Sequence, residues 1–165
     1  REIIRLTGES QLCTCNANGR SIRIDTDRET LIAKLIDGRY VAYENTLAPE
    51  ISEHAITNRK ELIDVVERAS TVVGRHQGLI LETNDGQLDI GGEYELQKAS
   101  EVVDILDGER REGFRISCNA QYLLDALKVC SGERVGVGFT FLDGPVAITS
   151  AADPGLKQVI MPMRA

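Results

Sequence analysis

The side chains that most often carry out catalysis are few and scattered in this chain. The two histidines, His54 and His76, lie in a polar linker and in the turn-like segment "GRHQG", and neither adjoins a candidate nucleophile. Gly136 and Gly138 fall inside an alternating apolar segment rather than between a strand and a helix, so they do not predict a phosphate-binding loop. The residue pattern therefore predicts a protein that is not an enzyme and works through its shape.

The four cysteines, Cys13, Cys15, Cys118 and Cys130, offer little metal or redox chemistry. No pair has the CxxC spacing of a zinc site or a redox centre. On a strand, Cys13 and Cys15 share one face, where we expect them to be small buried apolar residues in a reducing compartment. The sequence predicts neither a bound metal nor a cofactor.

The composition also limits the class of function. The 19 basic and 26 acidic residues give a net charge of -7, which disfavours tight binding to nucleic acid through bulk charge. Aromatic residues make up only 4%, so there is little material for stacking on bases. No apolar run approaches the roughly 18 residues of a membrane helix, and no leader follows Arg1, so we expect a cytoplasmic protein with no membrane contact.

Hydropathy periodicity predicts strands in the first part of the chain. The segment "QLCTCNANGRSIRID" (11–25) reads as two alternating strands joined by a turn at Asn18-Gly19, and "TLIAKLID" reads as a third strand. Residues 1–7 are typical of the end of a helix.

After Pro49 the pattern changes to helices alternating with hairpins. Asn58, with Glu61 three residues later, predicts a capped helix, and "GLILETNDGQLDI" predicts a hairpin that turns at Asp85-Gly86. Residues 94–116 are strand-like in parts, with a turn around Asp107-Gly108.

The same order then recurs. Asn119 is expected to cap "AQYLLDALKVC", Gly132 to end that helix, and "RVGVGFTFLDGPVAITS" to form a hairpin that turns at Asp143-Gly144. The sequence thus predicts an α+β fold of duplicated helix-plus-antiparallel-strand units, with both helices on one side of the sheets.

Three segments, "KLIDGRY" (34–40), "NAQYLLDAL" (119–127) and "VIMPMRA" (159–165), resemble in order and spacing the sliding clamp of bacterial replication, the beta subunit of DNA polymerase III. The resemblance implies the DNA-clamp fold. It assigns residues 1–55 to the C-terminal part of the second clamp domain and residues 56–165 to a complete third domain.

The resemblance also implies a function. A full-length clamp is a head-to-tail homodimer that encircles DNA without sequence preference and acts as a processivity factor, with no catalysis and no cofactor. Its hydrophobic groove takes short peptides from DNA polymerase, the clamp loader and repair factors.

The family pattern places a set of protein-binding residues in this chain. They are Val41, Thr46, His76, Asn119, Tyr122, Val159, Ile160, Met161, Pro162, Met163 and Arg164. Val41 and Ala165 stand where the family usually has proline and leucine, which predicts weaker peptide binding. The alternative is that residues 159–163 only complete a sheet.

The two helices line the hole of a clamp, so the resemblance places their cations toward DNA. These cations are Arg59, Lys60, Arg68 and Lys128. Arg59 and Lys60 occupy a first helical turn, where a cation opposes the helix dipole by about 0.3 to 1 kcal/mol, so helix stability does not explain them. The alternative is a solvated helix end with incidental charge.

A second class of function remains open on the sequence alone. The chain also fits a small α+β ligand-binding or enzymatic domain whose apolar C-terminus merely completes a sheet. An enclosed apolar pocket with convergent polar groups would favour that alternative, whereas a shallow surface groove beside residues 159–165 would favour the clamp.

Overall fold

The computed structural model describes residues 3, 5, 8, 12–40, 42, 43, 47, 53–74, 78–94, 97–108, 113–139 and 144–163. They belong to two compact units, Arg1–Val41 and Ala42–Ala165. The strand Glu53–Asn58 lies within the second unit, and the domain boundary expected after residue 55 stays a prediction. The assignment of the two units to particular clamp domains stays a prediction.

The first unit contains a three-stranded antiparallel sheet in the order β1-β2-β3. Its strands are β1 (Thr14–Ala17), β2 (Ser21–Asp25) and β3 (Thr30–Lys34). The structure confirms the predicted turn, in which Gly19 has a φ of 77° and the Oδ1 of Asn18 accepts a hydrogen bond from the Ser21 amide at 2.9 Å.

The expected burial of the two N-terminal cysteines is wrong. Cys13 and Cys15 are both exposed. Cys15 lies on β1, an edge strand on which all four residues are exposed, so this strand has no apolar face against which a thiol is covered.

Within residues 53–74, 78–94, 97–108, 113–139 and 144–163, the second unit contains two helices and nine strands. The helices are α1 (Arg59–Val73) and α2 (Ala120–Val129). The strands are β4 (Glu53–Asn58), β5 (Gly78–Asn84), β6 (Gln87–Tyr94), β7 (Gln97–Asp104), β8 (Asp107–Gly108), β9 (Arg115–Asn119), β10 (Arg134–Phe139), β11 (Val146–Thr149) and β12 (Gln158–Ile160).

These elements confirm the predicted duplication and add a leading strand to each copy. One copy runs β4, α1, β5, β6, β7, and the other runs β9, α2, β10, β11, β12. Each leading strand ends on an asparagine, Asn58 or Asn119, that also caps the following helix. The side chain of Asn58 accepts a hydrogen bond from the Glu61 amide at 3.0 Å, as the capping pattern predicts.

The two copies exchange their leading strands. β4 pairs with β10 in the sheet ordered β12-β11-β10-β4-β8, while β9 pairs with β5 in the sheet ordered β7-β6-β5-β9. A single buried core therefore includes Leu62 and Val66 from α1, Leu123 and Leu127 from α2, and apolar residues of both sheets. Because each sheet needs a strand from the other copy, neither copy is complete alone.

Two local turns show where short-range patterns succeed and fail. Asp85 and Gly86 join β5 to β6 with φ values of 46° and 76°, the left-handed pair that the Asp-Gly signal predicts. Asp107 and Gly108, by contrast, form the short strand β8, which pairs with Ile56 and Ala55 of β4. The expected turn there is wrong, because a pairing with a strand distant in sequence takes up these backbone groups.

The C-terminal segment connects the two sheets. β12 forms one edge of its sheet by pairing with β11, with Ile160 opposite Val146. Pro162 then pairs with Cys118 on β9, and the Met163 amide donates a hydrogen bond to the Ser117 carbonyl at 2.8 Å. This segment therefore contributes to the fold as well as to the surface beside it.

Candidate protein-binding groove

An open groove lies beside the C-terminal segment and helix α2. Its volume is about 560 Å³ and its surface is mostly apolar. It is lined by Leu47, Tyr122, Asp125, Ala126 and residues 157–161. A mostly apolar, open groove of this size suits a short peptide that inserts a few apolar side chains.

The alternation of β12 divides its side chains between the core and the groove. Ile160 is 5% exposed and belongs to the hydrophobic core, although it also borders the groove. Met161 is 61% exposed, and Val159 is half-buried. Met161 and Val159 are thus the apolar side chains of this segment that a bound peptide can cover.

Asn119 positions the other wall of the groove from the start of α2. Its Oδ1 accepts hydrogen bonds from the amides of Gln121 at 2.9 Å and Tyr122 at 3.1 Å. This cap fixes the first turn of the helix, on which the Tyr122 side chain is 63% exposed. Asp125 and Ala126 follow one turn later on the same helical face.

The structure brings together Tyr122, Val159, Ile160 and Met161 of the predicted protein-binding residues. Asn119 is not a lining residue but holds the turn that carries Tyr122. Pro162 and Met163 contact β9 instead, away from this lining. Val41, Thr46, His76 and Arg164 lie outside the described residues, as does Ala165. A role in peptide binding stays a prediction for the whole set.

Several residues that line the groove were not predicted from the sequence. They are Leu47, Asp125, Ala126, Lys157 and Gln158. The spacing of three and four residues after Tyr122 was a usable signal for Asp125 and Ala126. Leu47 gave no signal, because only the folded chain places it beside β12.

We expect Asn119→Ala to affect both stability and peptide binding. Loss of the cap should lower the free energy of unfolding by about 1 kcal/mol, and a frayed first turn should weaken peptide binding by displacing Tyr122. Urea unfolding and calorimetric peptide titration measure the two effects. Asn58→Ala, which removes the equivalent cap of α1, is the control: it should reduce stability similarly and leave peptide affinity unchanged. Equal peptide affinity for the two variants would contradict this role of Asn119.

Two of the predicted DNA-facing cations form ion pairs within the protein. Arg68 donates from Nε and Nη2 to the Glu101 carboxylate on β7, at 3.2 and 2.8 Å. These hydrogen bonds lower the pKa of Glu101 and raise that of Arg68. The Nζ of Lys128 on α2 lies 2.6 Å from the Oε1 of Glu67 on α1. Both cations thus connect elements of the fold.

Arg59 is also engaged, whereas Lys60 is not. The Arg59 side chain donates to the carbonyl of Gly132 at 2.9 Å and to that of Leu127 at 3.4 Å, beside the end of α2. Lys60 is exposed, and no described residue forms a hydrogen bond or ion pair with its side chain. Lys60 is therefore the member of the predicted set most available to an external phosphate.

The described cysteines of the core are poor nucleophiles. Cys118 is fully buried, and burial raises its pKa to about 12. Burial also raises the pKa of Cys130, which is 3% exposed. A thiol needs to ionise and be reachable in order to react, so neither residue suits catalysis.

The described residues provide neither a cluster of metal ligands nor a membrane-spanning helix. In this part of the chain, no three or more His, Cys, Asp or Glu side chains are arranged to hold a metal ion. Nor does any helix there have the length and apolar character needed to cross a membrane.

Comparison with known proteins identifies the family. The family model for the C-terminal domain of the DNA polymerase III beta subunit matches residues 46–164. The chain belongs to the DNA polymerase III beta subunit family. Among its relatives, the beta sliding clamp of Bacillus subtilis strain 168 is 30% identical over 138 residues, which cover 80% of this chain and 36% of that protein.

Solved structures of the beta subunit family confirm the clamp fold. The DNA polymerase sliding clamp of Caulobacter crescentus superposes with a TM-score of 0.80 at 23% identity, over 99% of this chain and 44% of that one. The Pseudomonas aeruginosa sliding clamp with ligand gives a TM-score of 0.78 at 27% identity, over 99% and 45%. This beta subunit homologue spans less than half the length of these relatives. Because the family model and the solved structures are all of clamps, the alternative of a small ligand-binding or enzymatic domain is not favoured.

Proposed function

We propose that this chain is the C-terminal portion of a processivity clamp, a non-catalytic protein of DNA replication. The observation that carries the proposal is the open apolar groove between Tyr122 and Met161, on a unit that has the clamp fold. Large exposed apolar side chains around a concave surface are typical of a protein-binding site. The partners are hydrophobic peptide segments of DNA polymerase, the clamp loader and repair factors.

The proposed clamp requires more chain than is present here. In the full-length protein, two protomers associate head to tail and encircle DNA, with residues 1–55 completing the second domain and residues 56–165 forming the third. The helices α1 and α2 then face the DNA. Topological confinement, rather than affinity for a sequence, keeps such a ring on its template.

The charges on α1 support weak contact with DNA. Its exposed side carries three acidic residues, Glu61, Asp64 and Glu67, against two basic residues, Lys60 and Arg68. Because Arg68 is paired with Glu101, it is less able to neutralise a phosphate. Few neutralised phosphates mean low affinity, which suits a protein that slides.

We expect the isolated chain to bind a hydrophobic clamp-binding peptide but not a linear DNA duplex. Fluorescence anisotropy at physiological salt should show saturable peptide binding and at most very weak, salt-sensitive and sequence-independent DNA binding, because the net charge is -7 and no ring can close. Lys60→Glu should remove what DNA binding remains and leave peptide binding intact. Submicromolar affinity for the linear duplex, or no binding of the peptide, would contradict the proposed function.

A further inference from the structure

The second unit contains four sulfur atoms, which differ in exposure. They belong to Cys118, Cys130, Met161 and Met163. Both cysteines are buried, and burial raises the pKa of each thiol, so neither readily forms the reactive thiolate. A methionine thioether reacts with peroxide without first losing a proton. Oxidation of sulfur in this unit therefore falls on the methionines.

The two methionines lie in different environments, although only Pro162 separates them in the chain. Met161 is 61% exposed and lines the groove. Met163 is half-buried, and its amide donates a hydrogen bond to the Ser117 carbonyl at 2.8 Å. Its sulfur lies over the sheet, where a methyl group added at Gly78 would be 3.8 Å from it. Met161 is thus the sulfur of this unit that a dissolved oxidant reaches first.

Oxidation at this position changes an apolar part of the groove into a polar one. A methionine sulfoxide carries an oxygen that accepts hydrogen bonds, and a peptide that covers this oxygen removes water from it. The side-chain amide that lines the groove, that of Gln158, already donates to the Ala126 carbonyl at 3.1 Å and to the Cys130 sulfur at 3.3 Å. The donors on Tyr122 and Lys157 are exposed, so pairing with the sulfoxide would remove water from them as well. The modified groove is therefore a poorer match for apolar side chains.

We propose that Met161 is a redox modification site, at which hydrogen peroxide weakens the docking of partner peptides. The sulfur lone pair attacks one peroxide oxygen, so that a sulfur–oxygen bond forms and the O–O bond breaks. The transferred hydroxyl gives its proton to the departing hydroxide, which leaves as water, and sulfur has lost two electrons. A dithiol-dependent methionine sulfoxide reductase returns two electrons and two protons and releases the oxygen as water. This inference rests on the proposed docking function and adds a means of regulating it.

The test treats the chain with hydrogen peroxide and then removes the peroxide before any peptide is added. Tandem mass spectrometry of proteolytic fragments locates the added oxygen, and we expect Met161 to be oxidised before Met163. Calorimetry with a hydrophobic clamp-binding peptide should show that protein oxidised at Met161 binds at least about fivefold more weakly, the effect of covering one polar group without a partner. Treatment with the two methionine sulfoxide reductases, one for each sulfoxide epimer, should restore the original affinity.

Two leucine variants show which methionine carries the effect. Met161→Leu keeps an apolar side chain that peroxide does not oxidise, so its own peptide affinity should be the same before and after treatment. Met163→Leu is the matched control and should lose affinity on treatment as the parent does. The exposed thiols of Cys13 and Cys15 are present in both variants, so their oxidation does not account for a difference between the two.

The possible results separate this inference from the proposed function. If the untreated chain binds the peptide and oxidation of Met161 leaves the affinity unchanged, the redox site is wrong and peptide docking stands. Oxidation of Met163 ahead of Met161, or an equal loss of affinity in Met161→Leu, would also overturn the inference. If the untreated chain does not bind the peptide, both the docking function and its regulation are overturned.

Discussion

Met161→Asp is expected to weaken binding of a short hydrophobic clamp-binding peptide at least about 30-fold, the effect of losing an interface residue that contributes about 2 kcal/mol. The Met161 side chain is 61% exposed at the groove, so a peptide that covers it gains apolar contact, and a carboxylate there would be desolvated without a partner. Calorimetry with one peptide against the parent and the variant measures the loss. Tyr122→Ala, on the opposite wall, should also weaken binding.

Leu106→Asp is the matched control for this prediction. Leu106 is 48% exposed and does not line the groove. The substitution introduces the same charge on the same unit and should leave peptide affinity unchanged. If Met161→Asp bound the peptide as tightly as the parent while remaining folded, the groove would not be the docking site, and the exposed methionine would need another explanation.

Ile160→Ala should destabilise the second unit by about 2 to 5 kcal/mol, the usual cost of truncating a buried isoleucine. Ile160 is 5% exposed in the core and pairs with Val146 through β12. Its truncation leaves a cavity where the C-terminal segment joins the sheet. Urea denaturation followed by circular dichroism measures the change in the free energy of unfolding.

Met161→Ala provides the comparison one residue along the chain. Since Met161 is mostly exposed, its truncation removes little buried surface and should cost less than about 1 kcal/mol. Equal losses of stability for the two variants would show that both side chains are packing residues. The apolar C-terminus would then only complete the sheet, which is the alternative that the sequence left open.

Local chemistry made much of the fold predictable. The side chains of Asn58 and Asn119 mark both helix starts, because an asparagine cap satisfies free amides at the first turn. Asp85-Gly86 marks a hairpin, because its turn needs two left-handed residues. Both signals act within a few residues, so they can be read without knowing the tertiary structure.

Strand pairings between segments distant in the chain could not be predicted from the sequence. The exchange of β4 and β9 between the two sheets depends on which strands are neighbours in space, and β8 forms only because β4 is beside it. The alternation of a strand indicates that it has a buried face but does not identify its partner. The exposure of Cys15 likewise depends on what packs against β1 rather than on residue type, since side chains on both faces of this strand are exposed.

The candidate site shows the same division. The apolar run near Met161 and the helix that carries Tyr122 were visible in the sequence, and the structure places both at one groove. The ion pairs of Arg68 with Glu101 and of Lys128 with Glu67 could not be predicted from the sequence, because the partners lie 33 and 61 residues apart along the chain. A cation on an exposed helix face was therefore an incomplete guide to contact with DNA.

The location of a bound peptide is the most direct test of the docking groove. Intermolecular nuclear Overhauser effects, recorded between a labelled chain and a saturating hydrophobic clamp-binding peptide, report which side chains the peptide contacts. We predict contacts from the peptide's apolar side chains to the Met161 methyl group, the Tyr122 ring and the Val159 methyl groups. Contacts confined to another surface, such as the sheet face around Gly91 and Ser117, would contradict the account.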